Sequence, residues 1–286
     1  MSWPTSYYRL PSQTLFSLFF AGEDLAPKCI IDDQNIQEYL QSHFIEAFGH
    51  LADRLREAGG LLDECVIGWE SINEPSEGFI GIPDLNVTPS HQILKKEASP
   101  TPAQGIRLGA GIAQKVDYWS FSQVGPIKNG TVTIDPLGHT VWYVSRTPIA
   151  RFFVASLAIF LRLDPDCEKD GISERWKWKR SSQWSLGQCV WAQHGVWDTT
   201  SGEITIPDYF NRSRRQPARK IDFVNEYWLP HWKKWARRIR QAHPEAIHFV
   251  QPPLFTPPPH IDAADLQGRA CYSPHYYDGG PSSQKF

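Results

Sequence analysis

Cysteine is scarce in this chain. Its 286 residues include five, an odd number scattered along the sequence. They follow no metal-ligand spacing and no disulfide framework, which excludes a disulfide-stapled scaffold and predicts a reducing compartment. An excess of one charge is also missing. Lys and Arg total 29 and Asp and Glu 31, a net charge of −2 with the signs well mixed. Neither nucleic acid nor an anionic membrane surface is therefore expected as a partner. The apolar run at residues 152–161 is bracketed by Arg151 and Arg162. A bilayer span needs about twenty residues, so no integral membrane segment is expected. Residues 1–9 show no basic region followed by an apolar core, so the sequence predicts no secretory signal. The expected compartment is the cytoplasm, with the vacuole as the alternative.

Aromatic residues are abundant, with twelve Trp and 13% Phe, Trp and Tyr together. Aromatic platforms suit the flat faces of sugars and sterols, although most such rings belong to a core. The length suits one TIM barrel, which takes about 250 residues.

The most informative stretch runs from Cys65 to Pro75. Residues 65–72 read as a buried parallel strand rich in β-branched residues, halted by Asn73-Glu74-Pro75 because proline removes a ladder donor. A polar pair at the C-terminal end of a buried strand is where a TIM barrel keeps its chemistry. The alternative is a surface turn after an ordinary strand. Upstream, residues 14–20 form a continuous apolar run closed by Ala21-Gly22, read as another buried strand. Asp32 or Asp33 then caps a helix. Its face is Ile36, Leu40, Phe44, Ala47, Phe48, Leu51 and Leu55, and Gly59-Gly60 ends it. Strand, helix and strand together predict a right-handed βαβ unit.

Beyond Pro75 the alternation lapses. Hairpin-like pieces are expected at residues 131–134 with 140–144 and at 188–191 with 203–206. The expected division is 1–77 for the first part of a barrel fragment, 78–220 for an insertion in the loop after the catalytic strand, and 221–286 for the second part. Such an insertion serves as a lid or ligand-binding element over the site, or as a structural embellishment. Residues 149–163, strongly apolar, read as a buried helix or as sequence foreign to the protein. From Ile221 a helical face of Phe223, Tyr227, Trp232, Trp235 and Ile239 has Arg237, Arg238 and Arg240 outside it, and Pro230 should kink or restart the helix. An outer-ring barrel helix is expected there, with a membrane-surface helix as the alternative. Residues 247–251 read as a short buried strand and residues 270–277 as the last strand-like segment.

Asn73-Glu74-Pro75 resembles the end of the fourth barrel strand in glycoside hydrolase family 5. Residues 68–78, Gly195-Val196-Trp197-Asp198, Pro207-Asp208-Tyr209-Phe210 and residues 273–278 are similar to the fungal endoglycoceramidase-related β-glucosidases of that family. The resemblance covers most of the chain but only the middle of the family's catalytic domain. It implies an α/β fold, a partial TIM (β/α)8 barrel of about the third to sixth strands with a long insertion after the fourth. It also implies a retaining β-glucosidase acting on steryl β-glucoside or glucosylceramide, with a peripheral contact with lipid and no metal or organic cofactor. Glu74 becomes the catalytic acid/base and Asn73 the ligand of the sugar 2-hydroxyl. His275 and Tyr277 match the sixth-strand His-x-Tyr that orients substrate and contacts the nucleophile.

A retaining glycosidase needs two carboxyl groups roughly 5–5.5 Å apart. The family's nucleophile is a Glu downstream of His-x-Tyr, and residues 279–286 contain no Glu. Glu70, Glu77 and Glu226 are poor substitutes by position. The sequence therefore predicts a truncated active site, with a non-catalytic sugar- or lipid-binding remnant and a mis-bounded gene product as alternatives.

Overall fold

A computed structural model of the chain describes residues 3–90, 92, 95–122, 125–142, 168, 169, 172, 173, 178–214, 216, 218–254 and 256–275. They divide into two compact units, one of Met1–Ala21, Gln37–Ile82 and Phe210–Phe286, the other of Gly22–Ile36 and Pro83–Tyr209. In chain order the main elements begin with α1 (Leu10–Leu25), α2 (Ile36–Glu57), α3 (Leu61–Cys65) and β1 (Gly68–Glu70). Next come β2 (Glu97–Ser99), α4 (Pro102–Gly109), β3 (Gln114–Ser122) and β4 (Gly125–Ile134). The last are α5 (Leu229–Ala242), β5 (Ile247–Val250) and β6 (Ala270–Tyr272).

The first unit is built on a parallel sheet of order β6-β5-β1. His248 of β5 stands opposite both Trp69 of β1 and Ala270 of β6. Its ring lies 5.3 Å from Trp235 and 5.9 Å from Trp232, both buried on α5. Trp235 in turn meets Phe48 of α2 at 6.0 Å. The layers are therefore sheet, α5 and α2, but the apolar stripe predicted for α2 is only partly turned inward. Phe44 and Phe48 meet His231 and Trp235 of α5, whereas Ala47 is exposed and Leu51 is 52% exposed, and Gln41, Ile45 and Ala52 are buried instead. Acid in the first turn of α2 (Glu38) and base in the last (Arg54, Arg56) match the helix dipole. The two helices are also tied by charge. Arg238 reaches Glu46 at 3.0 Å and Asp53 at 2.6 Å, and Gly49 gives its guanidinium room, since a Cβ there would stand 2.3 Å from it.

Several expectations need correction. Residues 14–20 are not a strand; they lie inside α1, where Phe16 and Phe20 stack one turn apart at 6.3 Å. A seven-residue apolar run fits either period, and packing chose the helix. The expected turn at Ala21-Gly22 is a kink, with Ala21 at φ −131, ψ 23. The strand read at residues 65–72 is only Gly68–Glu70: Cys65 closes α3 and Ile67 is 72% exposed. The described parallel sheet thus has three strands rather than four, and it is open. At Pro230 the helix does not restart: Val224–Trp228 is a π-helical turn that runs on into α5, with Phe223, Trp228 and Leu229 all right-handed helical and Pro in the first turn of α5. That wider turn brings Phe223 and Trp228, not Tyr227, onto the buried face. Arg237 is exposed, but Arg238 is 14% exposed and ion-paired, and Arg240 donates to the carbonyls of Pro244, Ala246, Leu266 and Arg269. With Trp232, Trp235 and Ile239 buried, α5 is a packed helix and not a membrane-surface one.

The second unit carries an antiparallel sheet of order β2-β3-β4 with a bulge between Asp117 and Trp119. α4 begins at a capping box, Thr101 and Gln104 bonding each other's backbone, with Pro102 behind the cap. Both expected hairpins are corrected here. Residues 131–134 pair with residues 114–117, and residues 190–193 form a helical turn while Ile204 bridges Trp197. Residues 149–163 lie outside the described residues. No described helix is long and apolar enough to cross a membrane.

Candidate active site

Each strand of the parallel sheet delivers one side chain at its C-terminal end. β1 leads through Ser71-Ile72-Asn73 to Glu74, β5 is followed immediately by Gln251, and β6 by Ser273, Pro274 and His275. The strands are parallel, so these ends share one rim of the sheet.

Glu74 is the centre of the group. It is 2% exposed and holds a left-handed φ of 46°, a conformation that costs a non-glycine residue of order 1–3 kcal/mol. Its backbone N–H donates to Oε1 of Gln251 at 3.2 Å. On its carboxyl group, Oε1 lies 2.7 Å from His275 Nδ1 and Oε2 accepts from the Tyr7 hydroxyl at 3.3 Å. Burial first, then the charge and hydrogen bond of Glu74, push the Tyr7 phenol above its usual range, which keeps it a donor. The His275 side chain is 31% exposed and joins the buried carboxyl to the surface. A second link spans the rim, Ser273 Oγ donating to Glu70 Oε1 at 2.7 Å.

Behind the rim the turn is anchored to α1. Ser17 Oγ accepts from Phe79 N–H at 2.8 Å and donates to the Gln13 carbonyl at 2.7 Å. Gly78 sits against this pair at φ 63°. Within β1, Trp69 donates to His243 at 3.1 Å. Against His275 and Gln251 is a cavity of about 280 Å³ whose lining also includes Pro252, Pro253, Thr256 and Tyr272.

The structure brings Glu74 and His275 together. Asn73 is exposed one residue before Glu74, and Tyr277 lies outside the described residues. Tyr7 and Gln251 belong to the group and were not expected from the sequence. Tyr7 sits in a 3₁₀ turn, Trp3–Tyr8, with no periodic signal, while Gln251 had one weak signal, a lone polar residue closing a buried strand before Pro252-Pro253. Among the described residues no group of His, Cys, Asp and Glu has the arrangement of a metal site. A buried carboxyl group with one phenol donor and one imidazole can hold a proton and pass it to a bound ligand.

No family model matches the chain. It is 41% identical over 282 residues to a glucosylceramidase of Aspergillus fumigatus and 34% identical over 285 residues to an ergosteryl-beta-glucosidase of Saccharomyces cerevisiae. Each match covers 98% of this chain and 34% of the relative. The crystal structure of Cryptococcus neoformans sterylglucosidase 1 superposes with a TM-score of 0.87 at 47% identity, covering 100% of this chain and 37% of that one. The chain is a relative of fungal glucosylceramidases and sterylglucosidases. Those relatives are glycoside hydrolases, and the chain spans about a third of the length of the curated relatives it matches. Its mixed α/β fold is that of the corresponding part of the sterylglucosidase.

Proposed function

We propose that this chain carries the acid/base half of a retaining β-glucosidase of the family 5 type, acting on glucosylated lipids such as steryl β-glucoside or glucosylceramide. In this reading β1, β5 and β6 are the fourth to sixth strands of a (β/α)8 barrel. The observation that carries it is the buried Glu74 carboxyl group held between Tyr7 and His275 at the C-terminal rim of parallel strands. Glu74 protonates the glycosidic oxygen as the bond to the lipid breaks, and then takes a proton from the incoming water. Asn73, exposed on the same turn, binds the sugar 2-hydroxyl. His275 orients the Glu74 carboxyl group, and the family resemblance gives Tyr277 a role with substrate. The names of the relatives supply the substrate class.

The nucleophile is proposed to come from a part of the relatives that this chain does not match. The nearest carboxylates in sequence serve other partners: Glu70 accepts from Ser273, and the charge of Glu77 acts on Tyr8. Azide tests the reading by taking the nucleophile's place. It attacks the anomeric carbon from the face opposite the aglycone, the glycosidic bond breaks, and the proton of Glu74 goes to the leaving oxygen. With phenyl β-glucoside, phenol release is expected only in the presence of azide, with α-glucosyl azide as the product and loss of release in Glu74→Gln. Azide-independent release that Glu74→Gln abolishes would put a second carboxylate within this chain. Failure to release phenol or to bind octyl β-glucoside would leave a remnant without glucosidase chemistry.

A further inference from the structure

Gln251 touches Glu74 through the backbone rather than the carboxyl group. The Glu74 N–H can only donate, so the amide oxygen of Gln251 must face it, at 3.2 Å. That fixes the amide nitrogen on the other side. Gln251 is 4% exposed, and its Nε2 is buried with no hydrogen-bond partner among the described residues. Roughly nine in ten buried polar groups are paired, so an unpaired amide donor beside a site calls for a reason. Gln251 also lines the 280 Å³ cavity that His275 shares. Polyhydroxylated neutral ligands offer such a donor an oxygen lone pair. Glu74 meanwhile holds its left-handed φ of 46° although it is not glycine, and the Gln251 oxygen is what its N–H finds in that conformation.

We propose that Gln251 is the positioning residue of this site, its amide oxygen pinning the backbone of Glu74 and its amide nitrogen reserved as the donor to a hydroxyl of the bound sugar. The first role holds the Glu74 carboxyl group against His275 and Tyr7. The second role rests on the glucosidase reading; the first does not. Two substitutions in the full 286-residue chain separate them. Gln251→Met keeps the volume and loses both roles. Gln251→Glu keeps an acceptor for the Glu74 N–H, but a carboxylate has no N–H to give.

Amide hydrogen exchange at Glu74 and titration with octyl β-glucoside are the readouts, with exchange in β5 and α5 as the control for folding. Gln251→Met should exchange the Glu74 amide at least about tenfold faster, and Gln251→Glu should restore protection. Both should bind octyl β-glucoside about three- to tenfold more weakly than the wild type. Unchanged Glu74 exchange in Gln251→Met, with control amides native, would overturn the positioning role. Wild-type affinity in Gln251→Glu would overturn the donor role. If the wild-type chain does not bind octyl β-glucoside, the glucosidase reading and the donor role fall together, while the exchange series still decides the positioning role.

Discussion

Alanine at Gly78 should be far more damaging than alanine at Gly81, although both glycines lie in the same turn after Glu74 and both are left-handed. Their φ angles are 63° and 85°. Each substitution incurs the left-handed penalty of an L-residue, about 1–2 kcal/mol. The surroundings then separate them. Nothing lies within 4 Å of a Cβ at position 81, whereas one at position 78 would stand 2.5 Å from the Gln13 carbonyl oxygen, 2.8 Å from Ser17 Oγ and 2.9 Å from the Ser17 nitrogen. Two of those three atoms are backbone of α1 and cannot rotate away. Overpacking of this kind costs about 1–3 kcal/mol more. Gly81→Ala is therefore expected to cost about 1–2 kcal/mol and Gly78→Ala about 2–5. The measurement is urea unfolding followed by tryptophan fluorescence, comparing midpoints at constant slope. Amide exchange at Phe79, whose N–H rests on Ser17 Oγ, should accelerate in Gly78→Ala alone. Equal costs for the two variants would refute the argument that the Glu74 turn is seated directly on α1.

Three further outcomes follow from the described packing. His248 is fully buried, and burial first, then the charges of Arg240 and His243, lower it to about 4, against an ordinary value of 6.5. The unfolded chain thus binds the extra proton between those values, so stability is full above about pH 6.5 and falls toward pH 4 at up to about 1.4 kcal/mol per pH unit; His248→Leu should flatten that slope in pH-dependent denaturation. Arg238→Ala removes one partner from both Glu46 and Asp53 and should lower the urea midpoint slightly, an effect that weakens in high salt. Gly105 lies in α4 with nothing within 4 Å of an added Cβ, so Gly105→Ala should stabilise by about 0.5–1 kcal/mol in thermal unfolding.

The sequence discloses elements where period and punctuation agree. Apolar residues from Ile36 to Leu55 with Gly59-Gly60 beyond them read as a helix, and α2 runs Ile36–Glu57. The short run before Pro252-Pro253 reads as a strand, and β5 is one. Where the period is silent the reading fails. Residues 14–20 are apolar but for Thr14 and Ser17, with no clear period, so only packing against α2, α5 and the Glu74 turn settles their conformation. Only the last four residues of β4 read as strand, because Asn129-Gly130 is a turn-type pair, yet Gly130, at φ 86°, sits inside the strand. The π-helical turn before α5 shifts the buried face by one residue, a register no 3.6 period contains. In the site, the closeness of Glu74 and His275 across 201 positions was suggested only by resemblance, not by any local spacing. Tyr7 and Gln251 are ordinary residues in ordinary settings until the three strand ends converge.

The strand that delivers His275 is also the one with least shelter. All three residues of β6 are exposed, and Tyr272 is 44% exposed, although a parallel strand is normally covered on both faces. Among the described residues its ladder bonds go to β5 alone. Such an element opens at small free-energy cost, and each opening carries the imidazole away from the Glu74 carboxyl group. The contact between His275 and Glu74 is thus tied to whatever roofs that edge. A covering surface would act on this pair without touching either side chain, simply by lengthening the time that His275 spends in place.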